Sequence, residues 1–131
     1  MGVNLYLLDT HVLLWWLLDD PKLSQKAKNT ITSPESRIYV SSVSGWEISI
    51  KQHIGKMPHI GHLIKDLPQY IRRERFEILP ITFEHALVAG SLDGKHKDPF
   101  DRMLIAQART EELTLISNDN IFKKYKLSLL W

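Results

Sequence analysis

Leu5-Tyr6-Leu7-Leu8-Asp9-Thr10-His11-Val12-Leu13-Leu14-Trp15-Trp16-Leu17-Leu18 sets two kinds of apolar segment back to back. Residues 5–8 are a short, continuous apolar run, the pattern of a buried strand. Residues 12–18 are apolar on every side, so the helix they form is buried, or half core and half interface. Thr10 is placed to cap that helix. Between the two stands an acid, Asp9. A carboxylate at that junction is costly to desolvate unless something pairs with it. Because Thr10 supplies a cap, Asp9 reads as a functional residue.

The same alternation continues along the chain. Ser24 starts a polar helix to about Thr32, and residues 33–36 are a turn. Arg37-Ile38-Tyr39-Val40 is a β-branched and aromatic strand. Ser41 and Ser42 offer caps for a helix reaching about His53. Residues 60–75 carry Leu63, Ile64, Leu67, Tyr70 and Ile71 at helical spacing, with Pro68 placed to kink or divide the stretch. Residues 76–81 read as a strand of edge character because of Pro80. Thr82 caps a helix to about Ser91, and Asp93-Gly94 is a turn. A further helix runs from Pro99 to about Thr110, residues 113–116 form a fourth strand, and residues 127–130 are a candidate fifth. Strands alternating with helical crossovers predict an α/β fold, a mostly parallel sheet of four to five strands with helices on both faces. Sites in such sheets form at the carboxyl ends of the strands.

Three more acids stand at predicted element boundaries. Glu47 lies in Ser44-Gly45-Trp46-Glu47, Asp101 in Asp98-Pro99-Phe100-Asp101, and Asp119 in Ser117-Asn118-Asp119. Each has a structural explanation. Asp98, Pro99 and Asp101 suit the N-cap, N1 and N3 positions of a helix. Ser44 and Glu47 fit a capping box, unless the helix starts at Ser42. Asp119 suits a turn. Taken together, the four acids Asp9, Glu47, Asp101 and Asp119 suggest a convergent carboxylate pocket. Such a pocket needs a cation, and hard oxygen ligands suit Mg²⁺ or Mn²⁺.

The 131 residues fit one domain, expected to span 1–131. The net charge of +2 permits an anionic partner without demanding one. No cysteine is present, which excludes disulfides and thiolate metal sites and points to a cytoplasmic setting. No signal peptide is evident, and the apolar run 12–18 is too short to cross a bilayer, so no membrane role is expected. A phosphate-binding glycine loop, a dinucleotide fingerprint and a nucleophile elbow are all missing. The histidines form no zinc pattern. Most of them read as surface residues, and the exception is His11, which is near enough to Asp9 to touch the pocket.

Several stretches now carry a resemblance. They are Leu7-Leu8-Asp9-Thr10-His11, Val43-Ser44-Gly45-Trp46-Glu47-Ile48, His96 to Ala108 through Asp98-Pro99-Phe100-Asp101-Arg102, and Leu115-Ile116-Ser117-Asn118-Asp119. In order and spacing the chain resembles PIN-domain nucleases, most closely the VapC-like toxins of bacterial type II toxin–antitoxin pairs. The resemblance implies a three-layer α/β/α sandwich and a metal-dependent endoribonuclease leaving a 5′-phosphate and a 3′-hydroxyl. It also implies a cognate antitoxin as inhibitor and a homodimer, which would bury the apolar first helix. The family's acidic set falls on Asp9, Glu47, Asp101 and Asp119, and Ser117 matches the hydroxyl residue two before the last acid. Asp98 either joins the metal site or only caps its helix, and Thr10 and His11 are accessory. Lys51, Lys95, Lys97, Arg102, Lys123 and Lys124 flank these motifs and are candidate RNA-backbone contacts. Trp15, Trp16 and Trp46 are expected in the core or an interface. A PIN nuclease of RNA processing or decay without a toxin role, and a catalytically silent binding module, are the competing readings.

Overall fold

In the computed structural model, which describes residues 4–94 and 96–131, the apolar runs become strands β1 (Asn4–Leu8), β2 (Ser36–Ser41), β3 (Glu77–Leu79), β4 (Thr114–Ile116) and β5 (Leu129–Leu130). Lys95, one of the six candidate backbone contacts, lies outside the described residues. The sheet order is β3-β2-β1-β4-β5, and every neighbouring pair is parallel.

The helices are α1 (Thr10–Leu17), α2 (Gln25–Thr32), α3 (Ser42–His53), α4 (Gly61–Ile64), α5 (Leu67–Arg73), α6 (Phe83–Ser91) and α7 (Pro99–Thr110), with 3-10 turns at Pro58–Ile60 and Asn120–Lys124. Side chains alternate across a strand, so the sheet feeds two cores. Leu8, Ile38, Val40 and Ile116 pack with α1, α2, α4 and α5 on one face. Leu7, Leu115 and Phe122 pack with Leu104, Ile105 and Ala108 of α7 on the other. The architecture is the expected α/β/α sandwich, with the sheet parallel throughout.

The amphipathic stretch 60–75 is two helices, divided at Lys65-Asp66, and Pro68 sits in the first turn of the second, where its missing N–H costs nothing. The apolar first helix is largely covered by its own chain. Val12, Leu13 and Leu14 are buried, Trp15 meets Trp131 edge-on at 5.7 Å, and Trp16 Nε1 donates to Glu74 at 2.6 Å.

From β1 the chain first builds outward through β2 and β3, then returns to add β4 and β5 on the other side. The order reverses between β1 and β4, and the crevice beyond those two carboxyl ends is where ligands bind in open parallel sheets. Asp9 and Ser117 are the first residues past β1 and past β4.

Candidate active site

Asp9 occupies the N-cap position of α1 with extended dihedrals, φ −60° and ψ 151°, yet its side chain makes no capping hydrogen bond. Instead, Ser117 Oγ donates to Asp9 Oδ2 at 2.7 Å across the sheet's switch point. The expectation that Thr10 caps α1 is corrected, because Thr10 is the first helical residue. It is fully buried, and its hydroxyl shares a hydrogen bond of 2.8 Å with Ser44 Oγ. That bond ties the start of α1 to the first turn of α3, the helix that carries Glu47.

Glu47 lies in the second turn of α3 and is 4% exposed. Ser41 caps this helix, its Oγ accepting the Val43 N–H at 3.0 Å, so the capping box of Ser44 and Glu47 does not form. With no capping duty, the Glu47 carboxylate pairs with Lys51 Nζ at 2.5 Å.

The segment before α7 supplies the rest. Asp98 is the N-cap, and its Oδ1 accepts the N–H groups of Phe100 at 2.9 Å and Asp101 at 3.2 Å. Both bonds use one oxygen, which leaves Oδ2 outside the cap. Asp101 accepts from His96 Nε2 at Oδ2, at 2.8 Å. One ligand atom each from His96, Asp98 and Asp101 can be chosen so that all lie within 4.8 Å of one another, spacing that suits a metal ion. Asp9, Glu47 and Asp119 stand outside this tightest group.

The charges are nonetheless coupled. Burial raises the Asp9 pKa above the usual carboxylate range, and the neighbouring Glu47 charge adds to the rise, while the Ser117 hydrogen bond and the charge of His11 oppose it. Burial likewise lifts Asp101 to about 6, assisted by the charges of Asp98 and Asp9 and opposed by the His96 hydrogen bond. Partly or fully buried acids that hinder one another's ionisation are what a bound cation relieves. The oxygen-rich donor set therefore fits a hard divalent ion.

Asp119 sits at the same sheet edge but in an exposed turn. Its N–H donates to Ser117 Oγ at 3.0 Å, and its own Oδ1 caps the following 3-10 turn by accepting the Ile121 N–H at 3.0 Å. Ser117 is thus the link between Asp9 and the Asp119 backbone. His11 is exposed and stands 6.0 Å from the Trp15 ring.

Among the candidate cations, Lys97, Lys123 and Lys124 are exposed. Two others have partners within the chain. Lys51 is the ion-pair partner of Glu47. The Arg102 guanidinium is spent on main-chain carbonyls, those of Ala89 at 3.0 Å, His96 at 3.1 Å, Leu92 at 2.7 Å and Gly90 at 3.5 Å, and so fixes the α6–α7 connection. The reading of His85 and His96 as surface residues is also corrected. His85 is fully buried and completes a capping box with Thr82, and His96 orients Asp101. The spacing of Thr82 to His85 was a legible sign of the first. His96 opens one of the motif stretches, but nothing in the sequence marked it as the partner of Asp101. Trp46 is 55% exposed rather than in the core, and it meets Phe100 edge-on at 5.1 Å, so the neighbours of Glu47 and Asp101 form an aromatic rim.

A match of the PIN domain family profile over residues 6–127 agrees with this fold and this edge. The chain belongs to the PIN-domain family, a family of nucleases. Solved structures similar to it include VapBC2 from Rickettsia felis bound to a DNA fragment from its promoter, at 20% identity and TM-score 0.71 over 96% of this chain and 97% of that one. FitAcB from Neisseria gonorrhoeae is similar at 22% identity and TM-score 0.68, covering 96% of both chains. VapBC-1 from nontypeable Haemophilus influenzae is similar at 20% identity and TM-score 0.65, again over 96% of both. No protein of curated function matches the sequence significantly.

Proposed function

We propose that the chain, as a single nuclease domain over residues 1–131, is a metal-dependent endoribonuclease of toxin type, inhibited by a cognate antitoxin protein. The observation that carries this reading is the set of electrostatically interacting carboxylates at the switch point of a PIN-family sheet, the buried Asp9 and the half-buried Asp101 above all. Asp9 and Asp101 would hold Mg²⁺ or Mn²⁺, with Asp98, Glu47 and Asp119 completing the acidic set. When bound, such an ion supplies an activated water near neutral pH and offsets the charge of a scissile phosphate.

The chain's own residues prepare that site. Ser117 holds one oxygen of Asp9, and His96 holds one oxygen of Asp101. Thr10 and Ser44 lock the helices that present Asp9 and Glu47. His11 moderates the negative charge at the mouth. The products of hydrolysis are a 5′-phosphate and a 3′-hydroxyl.

The toxin role draws on the VapBC and FitAB assemblies with which the chain shares its fold. A second copy of the chain is supported by exposed apolar side chains, Phe83 and Leu87 one turn apart on α6, while α1 is largely covered by its own chain. No helix among the described residues is long and apolar enough to cross a membrane.

The test is cleavage of a mixed RNA pool by the purified protein in Mg²⁺ or Mn²⁺, with EDTA and the Asp101→Asn protein as controls. Cleavage lost in both controls is the expected result. Cleavage that survives both would reject the carboxylate site.

A further inference from the structure

Next to the carboxylate site lies a cleft of about 680 Å³ between the end of α6, the far part of α7 and the turn at Asn120–Lys124. Its size falls in the range of about 300–1,000 Å³ typical of ligand sites. Arg109, Lys124 and Lys126 line it, against one acid, Asp93. Tyr125 also lines it, and the Arg109 guanidinium lies 5.9 Å from that ring's centroid. Arg109 Nε donates to the Lys126 carbonyl at 2.9 Å, which fixes the guanidinium beside the tyrosine.

The wall facing Tyr125 is the α6–α7 connection. Gly94 has φ +106°, and a Cβ there would stand 3.1 Å from the Tyr125 hydroxyl, so glycine lets the connection close on the ring. Arg102 braces the same wall through four carbonyls. His96 belongs to both places. It lines the cleft, and its Nε2 bonds Asp101 at 2.8 Å.

We propose that this cleft seats a nucleotide of a single-stranded RNA segment as the strand reaches the carboxylate site. Lys124, Lys126 and Arg109 take the phosphates and Tyr125 offers its ring to a base. A polyanion with stacking faces calls for this combination of clustered cations around an aromatic side chain. The proposal rests on the ribonuclease reading and adds to it where the strand runs.

The test uses the Asp101→Asn protein in Mg²⁺, so that turnover does not consume the probe, and follows the anisotropy of a short fluorescent single-stranded RNA of mixed sequence. Adding Tyr125→Ala is expected to weaken binding by at least about fivefold, while Tyr125→Phe leaves it unchanged. Lys124→Gln and Lys126→Gln, at exposed positions that leave folding intact, are each expected to lower the slope of log affinity against log salt by about 0.7. Lys26→Gln, an exposed lysine on α2, is the unaffected control. If the cleft variants bind like the parent, the cleft is overturned and the ribonuclease reading stands. If neither this parent nor the wild type in Mg²⁺ binds or cleaves RNA, both fall together.

Discussion

Lys51 Nζ lies 2.5 Å from Glu47 Oε2, one turn away on the same helix, and the ammonium also feels the charges of Asp98 and Asp101. The carboxylate pocket thus carries an internal counter-ion. A lysine held there occupies charge that a divalent ion would otherwise neutralise. Breaking a fully buried ion pair costs about 3–5 kcal/mol. With the Lys51 side chain 27% exposed, the Lys51→Met protein is expected to lose roughly 1–3 kcal/mol in EDTA. Mn²⁺ is expected to stabilise it more than it stabilises the wild type. Urea unfolding with and without Mn²⁺ measures both, and an equal Mn²⁺ gain in the two proteins would show that the lysine does not compete with the ion.

Replacing either central acid separates chemistry from folding. Asp9→Asn and Asp101→Asn are each expected to lower cleavage by at least about a hundredfold, as loss of a metal ligand worth several kcal/mol implies. Both amides keep an oxygen for Ser117 or an acceptor for His96, so thermal melting in EDTA is expected to stay within a few degrees of the wild type or rise. Full cleavage by both folded variants would remove the metal-site argument.

Asp101 sets a pH dependence with a definite sign. Its folded pKa of about 6 is above the ordinary 3.8, so the folded protein holds a proton that the unfolded chain has released between these values. Stability of the metal-free protein therefore falls as pH rises through about 4 to 6, and Asp9, raised as well, acts in the same direction. Denaturant unfolding in EDTA across that range tests it, with Asp101→Asn expected to flatten the decline. Stability that instead rises across the window in the metal-free protein would contradict the raised pKa.

Arg102 predicts a loss at a distance. Its guanidinium holds the connection that carries His96, and His96 holds Asp101. Arg102→Lys, which cannot reproduce the planar fork, is expected to cost roughly 1.5–3 kcal/mol, the range for hydrogen bonds to a charged group. Amide exchange in the described residues of 89–96 is expected to quicken and cleavage to fall. Unchanged exchange together with unchanged stability would show that the arginine is dispensable.

Much of the fold was legible because it is written in short-range pattern. The apolar run at residues 5–8 became a strand that is buried where it nears Asp9, Asp98-Pro99 started a helix at the expected residue, and Thr82 capped the next helix upstream. The open alternatives fell where two local solutions compete. Ser41 and Ser44 both suit an N-cap, and packing of β2 against its neighbours decided for Ser41. The stretch 60–75 has one helical period, yet it divides before Pro68, since a proline ring fits a first turn and not an interior one.

The site divides along the same line. The sequence by itself determined that the acids stand at element ends, that Asp98 can cap, and that the donors are hard oxygens, because these depend on residue type and immediate neighbours. Only the tertiary structure decided which groups meet. Ser117 reaches Asp9 across 108 positions, and Thr10 reaches Ser44 across 34. It also decided that Lys51 and Arg102 are committed inside the protein, and that His96 joins the acids to the cleft. Charge and hydrogen-bonding capacity are properties of a side chain, but which partner satisfies them depends on burial and on the strand order that closes the sheet.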